Sequence, residues 1–344
     1  MKVALVNMMV PYVRGGAEII AEDLEEQLHV FGHDARLFRI PMPPGCDLKM
    51  LDTVLTARML NFDEYDRVIA FKFPAYCVRH PAKVIWLFHQ FRQAYELAET
   101  EYRMPETPEV HWTLDRIRAA DNQYISQARH VFTIAGESHD RLKRYNGIES
   151  EILRTPLKNA GSFYCGKTGD YIFCASRMER IKRQNLAVQA MKYTKSGVKL
   201  VIAGQCPDRG LMEEMRAYVK ENQLEKKVVI RDEWITEQEK IEYMANSLGA
   251  VYIPYKEDSS GIVTMEAQYS RKPVITCTDS GGTNEFVKNC ATGFVTEPAP
   301  ERLAEAMDQL YEDRRLAEKM GETGNREIVE RKMTWEHTIG RLLK

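Results

Sequence analysis

Two carboxylates flank a small, glycine-containing segment in the last third of the chain. Asp258 and Glu266 lie eight positions apart, and Gly261, Ile262 and Val263 lie between them. An apolar run precedes the segment and a helical pattern follows it, so the sequence predicts a strand, a loop and a helix. The N–H groups of such a helix start favour a phosphate, whereas carboxylates favour hydroxyl groups as hydrogen-bond donors. Together these features indicate a site for a sugar nucleotide.

A basic cluster follows another strand-like run. Arg177 and Lys182 come after Tyr171–Ala175 and before a helical pattern. Arginine binds phosphate through a planar fork and lysine binds it as a point charge, so we predict that this pair neutralises a diphosphate. The alternative is a charged loop in solvent.

Two further candidates lie in the first half of the chain. The adjacent glycines Gly15 and Gly16 follow the first strand-like run, where they permit close approach of a ligand or simply form a tight turn. His89 follows Lys83–Phe88 at the carboxyl end of a predicted strand, where it serves either a ligand or the structure. Gly204 forms a similar turn in the second half.

Composition excludes several classes of protein. The chain has 344 residues, 44% of them hydrophobic and 28% charged, which is typical of a globular protein with two domains. The formal net charge of -2 gives no support to nucleic-acid binding. We expect a cytoplasmic protein without a signal peptide or membrane span, since no long apolar run occurs, and we expect the seven scattered cysteines to be reduced.

Strand-like runs alternate with helical patterns along the whole chain, which predicts parallel sheets covered by helices on both faces. The runs of the first half are Val3–Met8, Ala35–Ile40, Arg67–Phe71, Lys83–Phe88 and His130–Ile134. Those of the second half are Tyr171–Ala175, Lys199–Ala203, Val228–Ile230, Ala250–Ile253, Val274–Thr276 and Gly293–Val295. The predicted fold class is α/β, with two doubly wound, Rossmann-like domains that face each other across a cleft.

The expected domain boundaries follow from a loose, polar stretch around residues 158–169. We predict one domain over residues 1–160 and another over residues 169–325, followed by a C-terminal helix over residues 326–344. The segment from Arg302 to Leu343 is predicted to be mostly helical, with a break near Gly321 and Gly324.

The segment from Asp258 to Glu266 resembles the Glu-x7-Glu motif of the family 4 glycosyltransferases, which have the GT-B fold; here the first acid is aspartate. The resemblance covers nearly the whole chain and is strongest from Tyr171 to Val295. It implies that Glu266 binds the nucleotide ribose and that Asp258 binds hydroxyls of the donor sugar. It also implies that backbone groups at Gly261, Ile262 and Val263 meet the phosphates or the sugar.

The resemblance assigns the basic and glycine-rich loops as well. It implies that Arg177 and Lys182 bind the diphosphate, although Arg183 stands where a glycine usually follows the lysine. The loop with Gly15 and Gly16 should approach the donor phosphate and the acceptor.

The remaining implied contacts concern the sugar, the base and the last helix. His89 matches a histidine that contacts the transferred sugar. The base should lie near Gly204 and Asp232, the latter in a turn of sequence RDEW. Trp335 suits a last helix that crosses back onto the first domain.

The resulting hypothesis is a retaining hexosyltransferase of polysaccharide or glycolipid assembly, with His89, Asp258, Arg177 and Lys182 as catalytic residues. The donor would be a UDP- or GDP-linked sugar and the acceptor a carbohydrate or a lipid-linked glycan. No Asp-x-Asp motif occurs, so we expect no metal and no cofactor, with the cations in place of a metal. Two alternatives remain open, a non-hydrolysing nucleotide-sugar epimerase and a sugar-nucleotide-binding protein without catalysis; a nicotinamide oxidoreductase lacks its fingerprint.

The acceptor site is expected in the first domain, around Leu48–Leu60 and Tyr95–Asp121. Apolar and basic residues alternate in Leu48–Leu60. This pattern fits either a helix at the inner membrane surface that serves a lipid-linked acceptor or an ordinary core-facing helix.

Overall fold

The computed structural model describes residues 1–11, 13–43, 48–259 and 261–344. Tyr12 of the first loop, Cys46 and Ser260 of the acidic motif therefore lie outside the described residues. The chain divides into two compact units. One consists of Met1–Lys158 together with Met333–Lys344, and the other is Asn159–Lys332.

The first unit is a parallel sheet with helices. Its strands are β1 (Lys2–Met9), β2 (Asp34–Pro41), β3 (Arg67–Ala70), β4 (Lys83–Leu87), β5 (His130–Thr133) and β6 (Glu151–Ile152). Its helices are α1 (Gly16–Val30), α2 (Lys49–Met59), α3 (Pro108–Ile125) and α4 (Gly136–Asn146), to which α11 (Trp335–Leu342) is added from the chain end. The strand order is β2-β1-β3-β4-β5-β6.

The second unit repeats this plan. Its strands are β7 (Tyr171–Ala175), β8 (Lys199–Ala203), β9 (Val228–Arg231), β10 (Gly249–Val251), β11 (Val274–Cys277) and β12 (Gly293–Thr296). Its helices are α5 (Gln184–Ala190), α6 (Arg209–Glu221), α7 (Glu237–Asn246), α8 (Ile262–Tyr269), α9 (Pro300–Glu312) and α10 (Arg314–Glu330).

The strand order of the second unit is β12-β11-β10-β7-β8-β9, and all paired strands are parallel. The chain leaves β7 in one direction across the sheet and returns to β10 on its other side. Ligands bind at such a switch point, outside the carboxyl ends of the strands. The loops after β7 and β10 carry Arg177, Lys182 and Asp258, so the topology brings the predicted donor-binding loops to one place.

The predicted sheets are confirmed, and the core explains why. Every residue of β3, β4 and β11 is buried, as expected for parallel strands covered on both faces. The left-handed Gly32 (φ +80°) follows the end of α1, where glycine commonly terminates a helix.

One helical prediction is wrong. No break occurs near Gly321 and Gly324, because α10 continues through both. A Cβ on Gly321 would lie 2.0 Å from the Arg271 carbonyl oxygen, so the glycine serves the close packing of α10. The interruptions lie at Asp313 and at residues 331–334.

The C-terminal segment divides between the units. Residues 326–332 belong to the second unit, whereas α11 belongs to the first. Trp335 at the start of α11 is buried, and the Arg67 guanidinium donates to the Leu343 carbonyl oxygen at 2.8 Å. The side chain of Arg341 forms an ion pair with Glu151 of β6.

Candidate functional site

Arg177 lies on the loop that follows β7, and only part of its guanidinium is hydrogen-bonded among the described residues. Its Nη2 lies 2.9 Å from a Glu179 carboxylate oxygen. Its Nε and Nη1 are buried and have no hydrogen-bond partner within the described part of the chain. Buried guanidinium N–H groups normally find partners, so these two donors are suited to binding an anion.

Lys182 lies at the other end of this loop and is not alone. Its Nζ lies 2.9 Å from the Tyr252 hydroxyl oxygen and forms an ion pair with the Glu257 carboxylate. Burial opposes the charged form of Lys182, but the charge of Glu257 and the two hydrogen bonds outweigh it and raise the pKa of Lys182. The sequence analysis did not predict the contact between Glu257 and Lys182.

The acidic motif has the predicted form, with β10, a loop and α8 in sequence. Gly261 caps α8 with φ +74°, and a Cβ there would lie 2.2 Å from a ring carbon of Tyr252. Ile262 and Val263 open the helix, so their N–H groups are among those without a partner inside it. Asp258 is buried.

Glu266 faces away from solvent on α8. Burial raises the pKa of its carboxyl, and the Lys240 ammonium on α7 partly offsets this from 2.5 Å. Lys240 also lies 2.9 Å from Glu237. The sequence analysis missed Lys240, because only the packing of α7 beside α8 reveals the pair.

Arg183 occupies the position where the family usually has glycine, and it has the left-handed conformation that glycine favours, with φ 56°. Its Nε donates to the Ile253 carbonyl oxygen at 2.7 Å. Its two terminal nitrogens contact both carboxylate oxygens of Asp279 at 2.8 and 2.6 Å. The side chain therefore ties the loop after β10 to the loop after β11.

Gly204 and Asp232, the residues expected near the nucleotide base, lie on the loops after β8 and β9. Gly204 has φ +151°, and a Cβ would lie 2.1 Å from the Ser176 carbonyl oxygen, so this crossing requires glycine. Asp232 accepts a hydrogen bond from the Cys206 N–H at 2.8 Å and lies 2.9 Å from Arg209. The Asp232 carboxylate thus holds neighbouring protein groups.

In the first unit, the glycine loop and His89 occupy strand ends as expected. The Gly15 N–H donates to the Glu18 carboxylate at 2.9 Å, and that carboxylate also pairs with Lys72 at 2.8 Å. Gly16 begins α1. His89 Nδ1 lies 2.6 Å from the Gln90 carbonyl oxygen, which requires a proton on Nδ1.

No group of three His, Cys, Asp or Glu side chains that could hold a metal ion occurs among residues 1–11, 13–43, 48–259 and 261–344. Over the same residues, no helix combines the length and apolar character needed to cross a membrane.

Parts of the chain are similar in sequence to known proteins. Residues 165–327 match the family described as glycosyl transferases group 1. A mouse protein named alpha-1,3/1,6-mannosyltransferase ALG2 is 24% identical over 318 residues, which are 83% of this chain and 74% of the relative.

Two solved structures share the fold. Sucrose-phosphate synthase from Thermosynechococcus elongatus has a TM-score of 0.79, with 18% identity and 98% of each chain covered. Anabaena HepE in complex with UDP and glucose has a TM-score of 0.73, with 15% identity and 98% of each chain covered. Residues 165–327 therefore form a glycosyl transferases group 1 domain, and the chain is a glycosyltransferase with the GT-B fold.

Proposed function

We propose that this glycosyltransferase transfers a hexose from a UDP- or GDP-linked donor to an acceptor hydroxyl in glycan assembly, with retention at the anomeric carbon. The observation that carries the proposal is Arg177, whose two buried N–H donors have no partner in the described chain, on the same loop as Lys182. The name of the mouse relative supports a hexose, and the ligands of the Anabaena structure support a nucleoside diphosphate.

The chemistry follows from where charge develops. The bond from the anomeric carbon to the phosphate oxygen breaks, and the departing diphosphate gains negative charge. A bond from the anomeric carbon to the acceptor oxygen forms, and the acceptor hydroxyl releases its proton to water. Arg177 and Lys182 would stabilise that charge, as would N–H groups at the start of α8. Glu266 would accept hydrogen bonds from the ribose, while Asp258 and His89 would orient the sugar.

We further propose that the reaction needs no divalent metal and no cofactor, since Arg177 and Lys182 would neutralise the diphosphate in place of a metal. The glycine loop at Gly15 and Gly16, and Gly204 with Asp232 on the base side, complete the proposed donor contacts. The Gly15 N–H would first have to exchange its Glu18 partner.

For the acceptor, we propose a carbohydrate carried on a lipid, reached at the inner face of a membrane. The outer face of α2 supports this proposal, because Leu55 and Met59 are 63% and 84% exposed. Arg58 faces inward instead, with its guanidinium 2.9 Å from the Cys77 carbonyl oxygen and over the ring of Tyr124.

The test is transfer by the Arg177→Ala variant, with UDP- and GDP-hexoses offered against an acceptor panel. Loss of one preorganised donor should lower kcat/KM by about 10²- to 10³-fold. Arg302→Ala, which removes an exposed arginine paired with Glu305, is the control. A near-normal rate for Arg177→Ala would remove the diphosphate assignment. Loss of wild-type activity in chelator, restored by magnesium, would contradict the metal-free reaction, and donor isomerisation without acceptor would indicate an epimerase.

A further inference from the structure

Glu257 forms a closed triangle with Lys182 and Tyr252. The Glu257 carboxylate accepts from the Lys182 ammonium, and the Tyr252 hydroxyl lies 2.9 Å from both groups. The side chains of Glu257 and Lys182 are only 12% and 21% exposed. An ion pair with so little solvent around it is screened less than a surface pair, so Glu257 cancels much of the field of Lys182.

The backbone fixes Glu257 at this position. Its carbonyl oxygen accepts from the Gly282 N–H at 2.8 Å. The neighbouring Lys256 N–H donates to the Asp279 carbonyl oxygen at 2.8 Å, and the Tyr255 N–H donates to the Ile181 carbonyl oxygen at 2.8 Å. Hydrogen bonds between the loops after β7, β10 and β11 therefore hold the Glu257 carboxylate beside Lys182.

This geometry bears on the donor, provided that Lys182 binds the diphosphate as proposed above. A diphosphate that reaches Lys182 must displace the carboxylate or share the ammonium with it, because two anions at one cation repel each other. We propose that Glu257 is a counter-anion that occupies Lys182 between turnovers, and that the nucleoside diphosphate competes with it.

The consequence is weaker binding of both the donor and the product. The nucleoside diphosphate that leaves after transfer carries the same phosphates as the donor, so the returning carboxylate favours its release. Asp258 keeps the proposed role at the sugar, and the preceding acid regulates the charge of the site. The motif from Asp258 to Glu266 includes the residue proposed to bind the sugar but not Glu257.

The test is the affinity of Glu257→Gln for UDP, GDP and inorganic pyrophosphate, measured by calorimetry. Glutamine keeps the length of the side chain and a hydrogen bond to Tyr252 but removes the negative charge. Loss of one charge beside the diphosphate should tighten binding about tenfold, and the gain should shrink at high salt. Product inhibition should strengthen by a similar factor. Glu305→Gln makes the same change of net charge at an exposed position and should bind as the wild type does.

Lys182→Met separates this inference from the proposed function. If the wild type binds none of the three probes, or if Lys182→Met binds them as well as the wild type, the diphosphate assignment itself is wrong. If Lys182→Met binds weakly while Glu257→Gln gains nothing or loses affinity, only the counter-anion role is overturned. A thermal melt of each variant establishes that the comparison is between folded proteins.

Discussion

Asp121 of α3 should make the stability of the first unit depend on pH. Its carboxyl is fully buried and accepts hydrogen bonds from the hydroxyls of Tyr76 at 2.5 Å and Tyr95 at 2.7 Å. Burial raises the pKa of Asp121 to about 7, although the two hydrogen bonds favour the ionised form. The Tyr95 hydroxyl also accepts from Asn146, which is bonded to Gln90 beside His89.

The sign follows from proton binding. An unfolded aspartate has a pKa of about 3.9, so between about pH 4 and pH 7 the folded state holds a proton that the unfolded state has lost. The free energy of unfolding therefore falls as the pH rises through this range and becomes level above it. A shift of about three pKa units corresponds to about 4 kcal/mol as an upper value.

The perturbation is Asp121→Asn, which keeps the size of the side chain and removes its titration. Urea unfolding, followed by the fluorescence of the buried Trp86, should be measured from pH 4.5 to pH 8. The wild type should lose up to about 1.4 kcal/mol per pH unit relative to the variant below pH 7. Asp115→Asn is the control, because Asp115 lies on the same helix with its side chain 64% exposed. Parallel pH profiles of the wild type and Asp121→Asn would refute the reasoning.

Two further predictions concern the donor loops. Gly261→Ala should weaken UDP or GDP binding at least tenfold, because its Cβ would lie 2.2 Å from the Tyr252 ring. Gly147→Ala is the control for backbone strain without steric overlap, because Gly147 has φ +64° and open space around it. Equal losses of nucleotide affinity in the two variants would contradict the steric explanation. Arg183→Gly should relieve about 1 kcal/mol of left-handed backbone strain. The variant should nevertheless bind nucleotide more weakly, because the guanidinium that links Ile253 to Asp279 is lost. Wild-type affinity of the variant in calorimetry would show that the guanidinium does not position the loops.

The strands were predictable because of their burial. Tyr171–Ala175 and Lys199–Ala203 have the predicted limits, since a parallel strand covered on both faces is a continuous apolar run. Glu151–Ile152 was missed because this two-residue strand is exposed and lies at the sheet edge, where no apolar run is needed. The predicted break at Gly321 was wrong because the role of this glycine depends on a tertiary contact, its close approach to the Arg271 carbonyl oxygen.

The site was predictable only where its residues are close in sequence. The spacing of Asp258 and Glu266 predicts a strand, a loop and a helix, and these elements are present. The partners of the cations come from elsewhere in the chain, as in the pairs of Lys182 with Glu257 and of Lys240 with Glu266. Such pairs depend on the order of the strands and the packing of the helices, which local patterns do not encode.

The cations of the proposed donor site are each paired with a carboxylate, and this limits how the site can bind an anion. Arg177 is paired with Glu179, Lys182 with Glu257 and Lys240 with Glu266. A diphosphate therefore gains little from a pre-existing positive field and must gain its affinity by exchanging partners. Arg177 can make this exchange at the lowest cost, because two of its N–H donors already lack a partner in the described chain. Lys182 must release a carboxylate first, so the two cations contribute unequally even though both lie on one loop.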